Sequence, residues 1–171
     1  MGAIILTGFM GTGKSTVGRL LAQHLRKPFI DTDDCIEAAE GRSIAAIFAD
    51  AGEAHFRATE ARVVAEAVTR DAVVATGGGA ITDPTTYARM HAAGPIICLQ
   101  CDLEVLLGRL KHDTTRPLLA GTTTRARLTE LLTRRAAAYA QADLIVDTTN
   151  RAPQDITEEI VRWLEDPSRR S

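Results

Sequence analysis

Residues Gly8-Phe9-Met10-Gly11-Thr12-Gly13-Lys14-Ser15 follow the pattern G-x-x-x-x-G-K-[ST], and no other stretch of the chain constrains its folding as tightly. The apolar run Ala3-Ile4-Ile5-Leu6 precedes the octapeptide, and a helical pattern starts at Ser15. Strand, glycine loop and helix N-terminus in that order build an anion cradle of backbone N–H groups at the positive end of a helix dipole. Lys14 adds a point charge for terminal phosphates, and Ser15 a hydroxyl for a magnesium ion. The octapeptide therefore implies binding of a nucleoside triphosphate.

Further apolar runs lie at Pro28 to Ile30, Ala72 to Ala75, Pro95 to Leu99 and Leu144 to Val146, with helical patterns between them. They are continuous rather than alternating, as strands covered by helices on both faces should be. This alternation predicts an α/β domain with a parallel sheet. Asp83-Pro84 reads as an N-cap followed by a first-turn proline, and Asp102 can cap a helix through Leu103, Leu106, Leu107 and Leu110. Leu128, Leu131, Leu132 and Ala136 form an apolar stripe between Thr124 and Tyr139. Pro153 starts a last helix with Ile156, Ile160, Val161 and Leu164 on its stripe, and residues 166–171 form a polar, fraying tail. With no repeat or linker, residues 1–171 read as a single domain of adequate core size.

The stretch Lys111 to Thr123 is polar, contains Pro117 and Gly121, and interrupts two convincing helices. A loop of that length suits a lid that excludes water during phosphoryl transfer, with Arg116 placed to reach the phosphates.

The net charge of −2 offers no basic face for nucleic acid. No apolar run approaches the roughly 18 residues of a membrane span. The first strand begins so early that a cleavable signal peptide is not expected, which points to a cytoplasmic enzyme. Three cysteines imply no disulfide framework. Cys98 and Cys101 form C-x-x-C, but in an extended strand they face opposite ways, about 10 Å apart, and no second ligand pair exists for zinc.

Four further constellations concern the second substrate. Phe29-Ile30-Asp31-Thr32-Asp33-Asp34 ends a strand in carboxylates, where ligands of open α/β sheets bind. If the strand persists, Asp31 and Asp33 point in different directions, one to a metal and one to an acceptor hydroxyl, while Asp34 suits an N-cap for a helix at Cys35 to Ala39. Gly52 to Glu60 opens a long helix towards Arg70, with Glu60 one turn after Arg57 and able to pair with it, as a surface salt bridge also would. Gly77-Gly78-Gly79 directly after a strand lets backbone N–H groups come close to a ligand. Arg134 and Arg135 sit on the helix after the lid.

Taken together, G-F-M-G-T-G-K-S-T, F-I-D-T-D-D, the G-R-S-I and I-F elements at Gly41 to Phe48, G-E-A-H-F-R-A-T-E, A-T-G-G-G-A, T-R-P-L-L and R-A-A-A-Y resemble the shikimate kinase family over nearly the whole chain. The resemblance implies a three-layer α/β/α P-loop kinase fold with a five-stranded parallel sheet and a lid. It implies ATP as co-substrate, held through Gly11, Thr12, Gly13, Lys14, Ser15 and Thr16, with Arg109, Arg151 and Pro153 around the adenine. It also implies that Asp33 holds the ring hydroxyls of shikimate, that Arg57 and Arg135 grip its carboxylate, and that Gly78 adds a backbone contact. Lys14, Asp33 and Arg116 become the catalytic residues, and Ser15 and Asp31 the magnesium-side ones. The planar arginine fork matches a carboxylate bidentately, which two such residues would not do for a neutral sugar. The expected unit is a monomer.

Two alternatives stand beside this one. A gluconate or nucleoside monophosphate kinase could use paired arginines on the same scaffold, although the aspartate pair and the triple glycine argue against it. A nucleotide-dependent switch would need no acceptor, but the guanine-reading N-K-x-D element of GTPase switches is absent.

Overall fold

The computed structural model describes residues 2–111, 125–166 and 168. Strands β1 (Ile4–Gly8), β2 (Phe29–Asp31), β3 (Val73–Ala75), β4 (Ile96–Gln100) and β5 (Leu144–Asp147) form one parallel sheet in the order β2-β3-β1-β4-β5. The expected five-stranded α/β/α architecture is what the chain adopts.

The helices are α1 (Lys14–Leu25), α2 (Thr32–Glu40), α3 (Ile44–Ala67), α4 (Pro84–Ala93), α5 (Leu103–Leu110), α6 (Arg125–Tyr139) and α7 (Pro153–Glu165). Helices α1 and α7 cover one face of the sheet, where Val17, Leu21, Ile156 and Ile160 meet Leu6, Ile97 and Leu99. The opposite face carries Val64, Met90, Leu106 and Leu128, from α3 to α6, on Ile5, Val74 and Cys98. Successive residues of a strand point to opposite faces, so two cores require the unbroken apolar runs seen in β1, β3 and β4.

The chain leaves β1 for α1 on one face and leaves β3 for α4 on the other. That divergence opens a crevice at the carboxyl ends of these two neighbouring strands, where open α/β sheets bind ligands.

Several local expectations change. Strand β5 lies at an edge with only one face covered, so Ile145 is exposed instead of buried. Helix α2 is capped by Asp31, not Asp34: the Asp31 side chain accepts the Asp33 N–H at 3.0 Å, and the helix starts at Thr32. Helix α3 starts at Ile44 behind the Ser43 cap, and Gly52 breaks it rather than opening it. Gly52 has φ 83° and ψ 171°, a region essentially closed to side-chain-bearing residues. The rings of Phe48 and Phe56 meet across this break at 4.7 Å.

On α6 the inward stripe runs through Leu128, Leu131, Arg135 and Tyr139, while Ala136 is exposed. The aspartate caps at Asp83 and Asp102 and the start of α7 at Pro153 are as read from the sequence. Cys101 lies just past the end of β4 and packs towards the same core as Cys98, not on the opposite face. All three cysteines are free, and burial pushes the Cys98 thiol up to about 12, which suits an inert core residue.

Candidate active site

The octapeptide turns from β1 into α1 as the motif requires. Gly13 precedes the helix in the left-handed region, with φ 94°. Thr12 Oγ1 donates to the Phe9 carbonyl at 2.8 Å, bracing the turn from inside. Lys14 Nζ donates to the Gly8 and Phe9 carbonyls at 2.9 and 3.0 Å, so its charge is folded over the cradle. From the end of α5, Arg109 Nη1 donates to the Gly11 carbonyl at 2.7 Å. Arg151 is held by the Asp147 carbonyl at 2.8 Å and by Glu159 at 2.6 Å. These contacts bring Arg109, Arg151 and Pro153 to the rim of the cavity that the phosphate loop faces.

Asp31 stands at the carboxyl end of β2 with both oxygens engaged. One caps α2 through the Asp33 N–H, and the other accepts from Ser15 Oγ at 2.6 Å. A hydroxyl and a carboxylate are thus side by side at the first turn of α1. Hard oxygen donors of this kind fit Mg²⁺, which takes one or two protein ligands and fills its octahedron with water and phosphate oxygens.

Asp33 is in the first turn of α2, since β2 ends at Asp31. Its distinct direction from Asp31 comes from that strand-to-helix turn and not from strand alternation. Arg57 follows the Gly52 break. Its guanidinium donates to Glu60 at 2.7 Å and to Glu53 at 3.4 Å, and it lies 5.1 Å from the centre of the Phe56 ring. Glu60 is only 3% exposed, which separates this pair from an ordinary surface bridge. Burial pushes the Glu60 carboxyl above the usual carboxylate range, while the Arg57 charge pulls it back.

Each residue of the triple glycine makes room for a different neighbour. A Cβ on Gly77 would stand 2.5 Å from a Glu60 carboxylate oxygen and 3.2 Å from one of Asp33. On Gly78 it would meet the Gly8 carbonyl at 2.8 Å, and on Gly79 the Arg57 guanidinium at 2.5 Å. Close approach of these neighbouring groups accounts for three glycines in a row. Arg135 is buried on the inner stripe of α6, 7% exposed, with its guanidinium 5.5 Å from the Phe9 ring centre. Arg134 points outward and pairs with Glu130.

A single cavity of about 580 Å³ joins these groups. Gly11, Thr12, Gly13, Lys14, Ser15 and Thr16 line one end with Arg109, Arg151 and Pro153, and Asp31, Asp33, Arg57, Gly78 and Arg135 line the rest. Arg116 and the lid fall outside the described residues. Sequence reasoning left the depth of Glu60 unseen and gave no separate role to Phe48, Phe56 or Tyr139. The i,i+3 spacing from Arg57 was the only signal for Glu60, and it carries no information on burial.

Known proteins resemble the chain throughout. A family model described as shikimate kinase matches residues 10–165. A shikimate kinase of Geobacter metallireducens is 43% identical, covering 95% of this chain and 91% of its own. One of Gloeobacter violaceus is 47% identical, covering 95% and 92%. The solved structure of shikimate kinase from Acinetobacter baumannii in complex with shikimate superposes with a TM-score of 0.92 at 37% identity, over 96% of this chain and 93% of that one. Matches of this extent decide against a gluconate kinase, a nucleoside monophosphate kinase or an acceptor-free switch: the chain belongs to the shikimate kinase family.

Proposed function

We propose that this chain transfers the γ-phosphoryl group of ATP to the 3-hydroxyl of shikimate, giving shikimate 3-phosphate and ADP. One observation carries the reading. Asp33, Arg57 and Arg135 come from three separate helices and Gly78 from the loop after β3, yet all line the same cavity as Lys14.

Phosphoryl transfer passes through a loose transition state, so catalysis is mainly positioning and charge neutralisation. The loop N–H groups and Lys14 hold the β- and γ-phosphates and take up the charge that develops on the transferred group. Arg57 and Arg135 fork onto the carboxylate of shikimate, which fixes the ring and presents one hydroxyl to the phosphorus. Asp33 accepts the hydrogen bond of that hydroxyl, keeps it aimed, and is placed to take its proton. Ser15 and Asp31 would hold Mg²⁺, which would supply further positive charge against the charge developing on the transferred group. Arg116 belongs to the same charge-neutralising set in this reading.

The working unit is a monomer of one domain, because one chain supplies every group named here. Sedimentation velocity checks this. No helix of the described residues is long and apolar enough to cross a membrane. We assign the enzyme to the cytoplasm, where ATP is supplied. A coupled ADP-release assay tests the function directly. Shikimate should stimulate release strongly, whereas gluconate, nucleoside monophosphates and no acceptor should not. Equal release without shikimate would overturn the reading.

A further inference from the structure

The hydroxyl of Tyr139 donates to the carbonyl oxygen of Gly78 at 2.7 Å, across 61 residues of sequence. Tyr139 is the last residue of α6 and is 3% exposed. It does not line the 580 Å³ cavity. It lies instead behind the phosphate loop, against a small, mostly apolar cavity with Phe9, Leu106 and Leu132. A ligand in the main cavity therefore meets Gly78 and Arg135, but not Tyr139.

Arg135 is one turn before Tyr139 on the same face of α6. Its Nη1 and the Tyr139 hydroxyl each lie 3.2 Å from where a Cβ on Gly78 would be, and the Gly8 carbonyl lies 2.8 Å away. The last strand residue before the phosphate loop, the middle glycine and the inner face of α6 thus converge at one point. In a trans peptide the carbonyl of Gly78 and the N–H of Gly79 point in opposite directions. A hydroxyl that holds the carbonyl towards α6 turns the following N–H away from α6. The same bond ties down the end of the helix that carries Arg135. Burial pushes the Tyr139 hydroxyl up to about 12, against the pull of Arg135, so it remains a neutral donor throughout the working range.

We propose that Tyr139 is a positioning residue for the acceptor site: its bond to Gly78 sets, together, the Gly78 backbone and the Arg135 guanidinium that receive shikimate. This rests on the assignment of Gly78 and Arg135 to the shikimate site.

Replacing Tyr139 by Phe removes one oxygen from a packed side chain and leaves the Gly78 carbonyl without that donor, a loss that an apolar wall cannot offset. The experiment is steady-state kinetics of Tyr139→Phe on the full chain, with each substrate varied in turn. The expected result is a KM for shikimate raised about ten-fold, with kcat and the KM for ATP within about two-fold. A KM for shikimate within two-fold of the wild-type value overturns the proposal. So does a parallel rise in both Michaelis constants, which marks a general structural role. Thermal melting supplies a second readout. The rise in melting temperature produced by shikimate should shrink in the variant, and the rise produced by a non-hydrolysable ATP analogue should not. An undiminished shikimate-induced rise overturns the proposal. Failure of the underlying assignment looks different, since Arg135→Lys, which keeps the charge but loses the planar fork, would then leave the KM for shikimate at the wild-type value.

Discussion

The two ends of the cavity are built on opposite plans. At the nucleotide end, eight consecutive residues form the cradle, and their own backbone carbonyls hold Thr12 and Lys14 in place. At the proposed acceptor end, Asp33, Arg57, Gly78 and Arg135 come from α2, α3, the loop after β3 and α6, and residues distant in the chain pack close to each of them. A backbone cradle suits phosphate, which is common to every nucleotide and needs charge more than shape. A ring with several hydroxyls and one carboxylate needs side chains at fixed angles, and only tertiary structure delivers those. In the proposed function, generic binding is local and specificity is assembled.

The largest effects should separate these plans outright. Lys14→Ala removes the point charge on the phosphates, so kcat should fall about a thousand-fold, or about 4 kcal/mol, with the KM for shikimate little changed. Melting should stay within a few degrees, since Lys14 is only partly buried. Asp33→Ala should cost turnover on a similar scale. Arg57→Ala comes next: the KM for shikimate should rise about 100-fold, or about 2.7 kcal/mol, while the KM for ATP holds. Coupled kinetics with both substrates varied checks all three. A near-normal Michaelis constant for shikimate in Arg57→Ala would remove the carboxylate clamp from the mechanism.

The same contrast explains what could be read from the chain before folding. The strand-loop-helix turn of the octapeptide was fully legible because its geometry depends on neighbours in sequence. The strands were legible as apolar runs, except at β5, where the pattern could not reveal that an edge position leaves Ile145 uncovered. The residues proposed to bind the acceptor were recognisable only through the order of several motifs, and their supports were not. Hydrophobic periodicity put Ala136 inside α6 because it ranks arginine as a surface residue, yet the buried position belongs to Arg135. The start of α2 shifted because Asp31 and Asp34 are equally good caps in isolation. The helix takes Asp31, whose second oxygen is already fixed by Ser15 on α1.

A smaller change can disturb the acceptor end without touching any charge. A methyl group on Gly79 would stand 2.5 Å from the Arg57 guanidinium. That neighbour is the far end of a long side chain and can move, so Gly79→Ala should fold with a melting temperature within about 4 °C of the parent. The displaced Arg57 should raise the KM for shikimate about ten-fold, with the KM for ATP unchanged. A loss of stability without this split in Michaelis constants would mean that the glycine serves the fold alone.

The smallest effect concerns Glu60, where function and stability should pull in opposite directions. Its carboxyl is raised above the usual carboxylate range, chiefly by burial, and Arg57 opposes the shift. The folded protein therefore holds the Glu60 proton more tightly than the unfolded chain does. Its contribution to stability is fully present below the ordinary carboxylate pKa and is lost as pH rises through the raised one. Above that raised pKa the ionised Glu60 costs stability while it holds Arg57 at 2.7 Å. Glu60→Gln keeps the shape and removes the charge. Above the Glu60 titration its melting temperature should equal or exceed that of the parent, while the KM for shikimate should rise a few-fold, about 3 to 10. In the parent, the KM for shikimate should rise as pH falls through the Glu60 titration, which lies above the usual carboxylate range, and this limb should be absent from Glu60→Gln. A variant that keeps the limb assigns it to another group, and one that melts lower above that titration shows that the buried carboxylate supports the fold as well as the clamp.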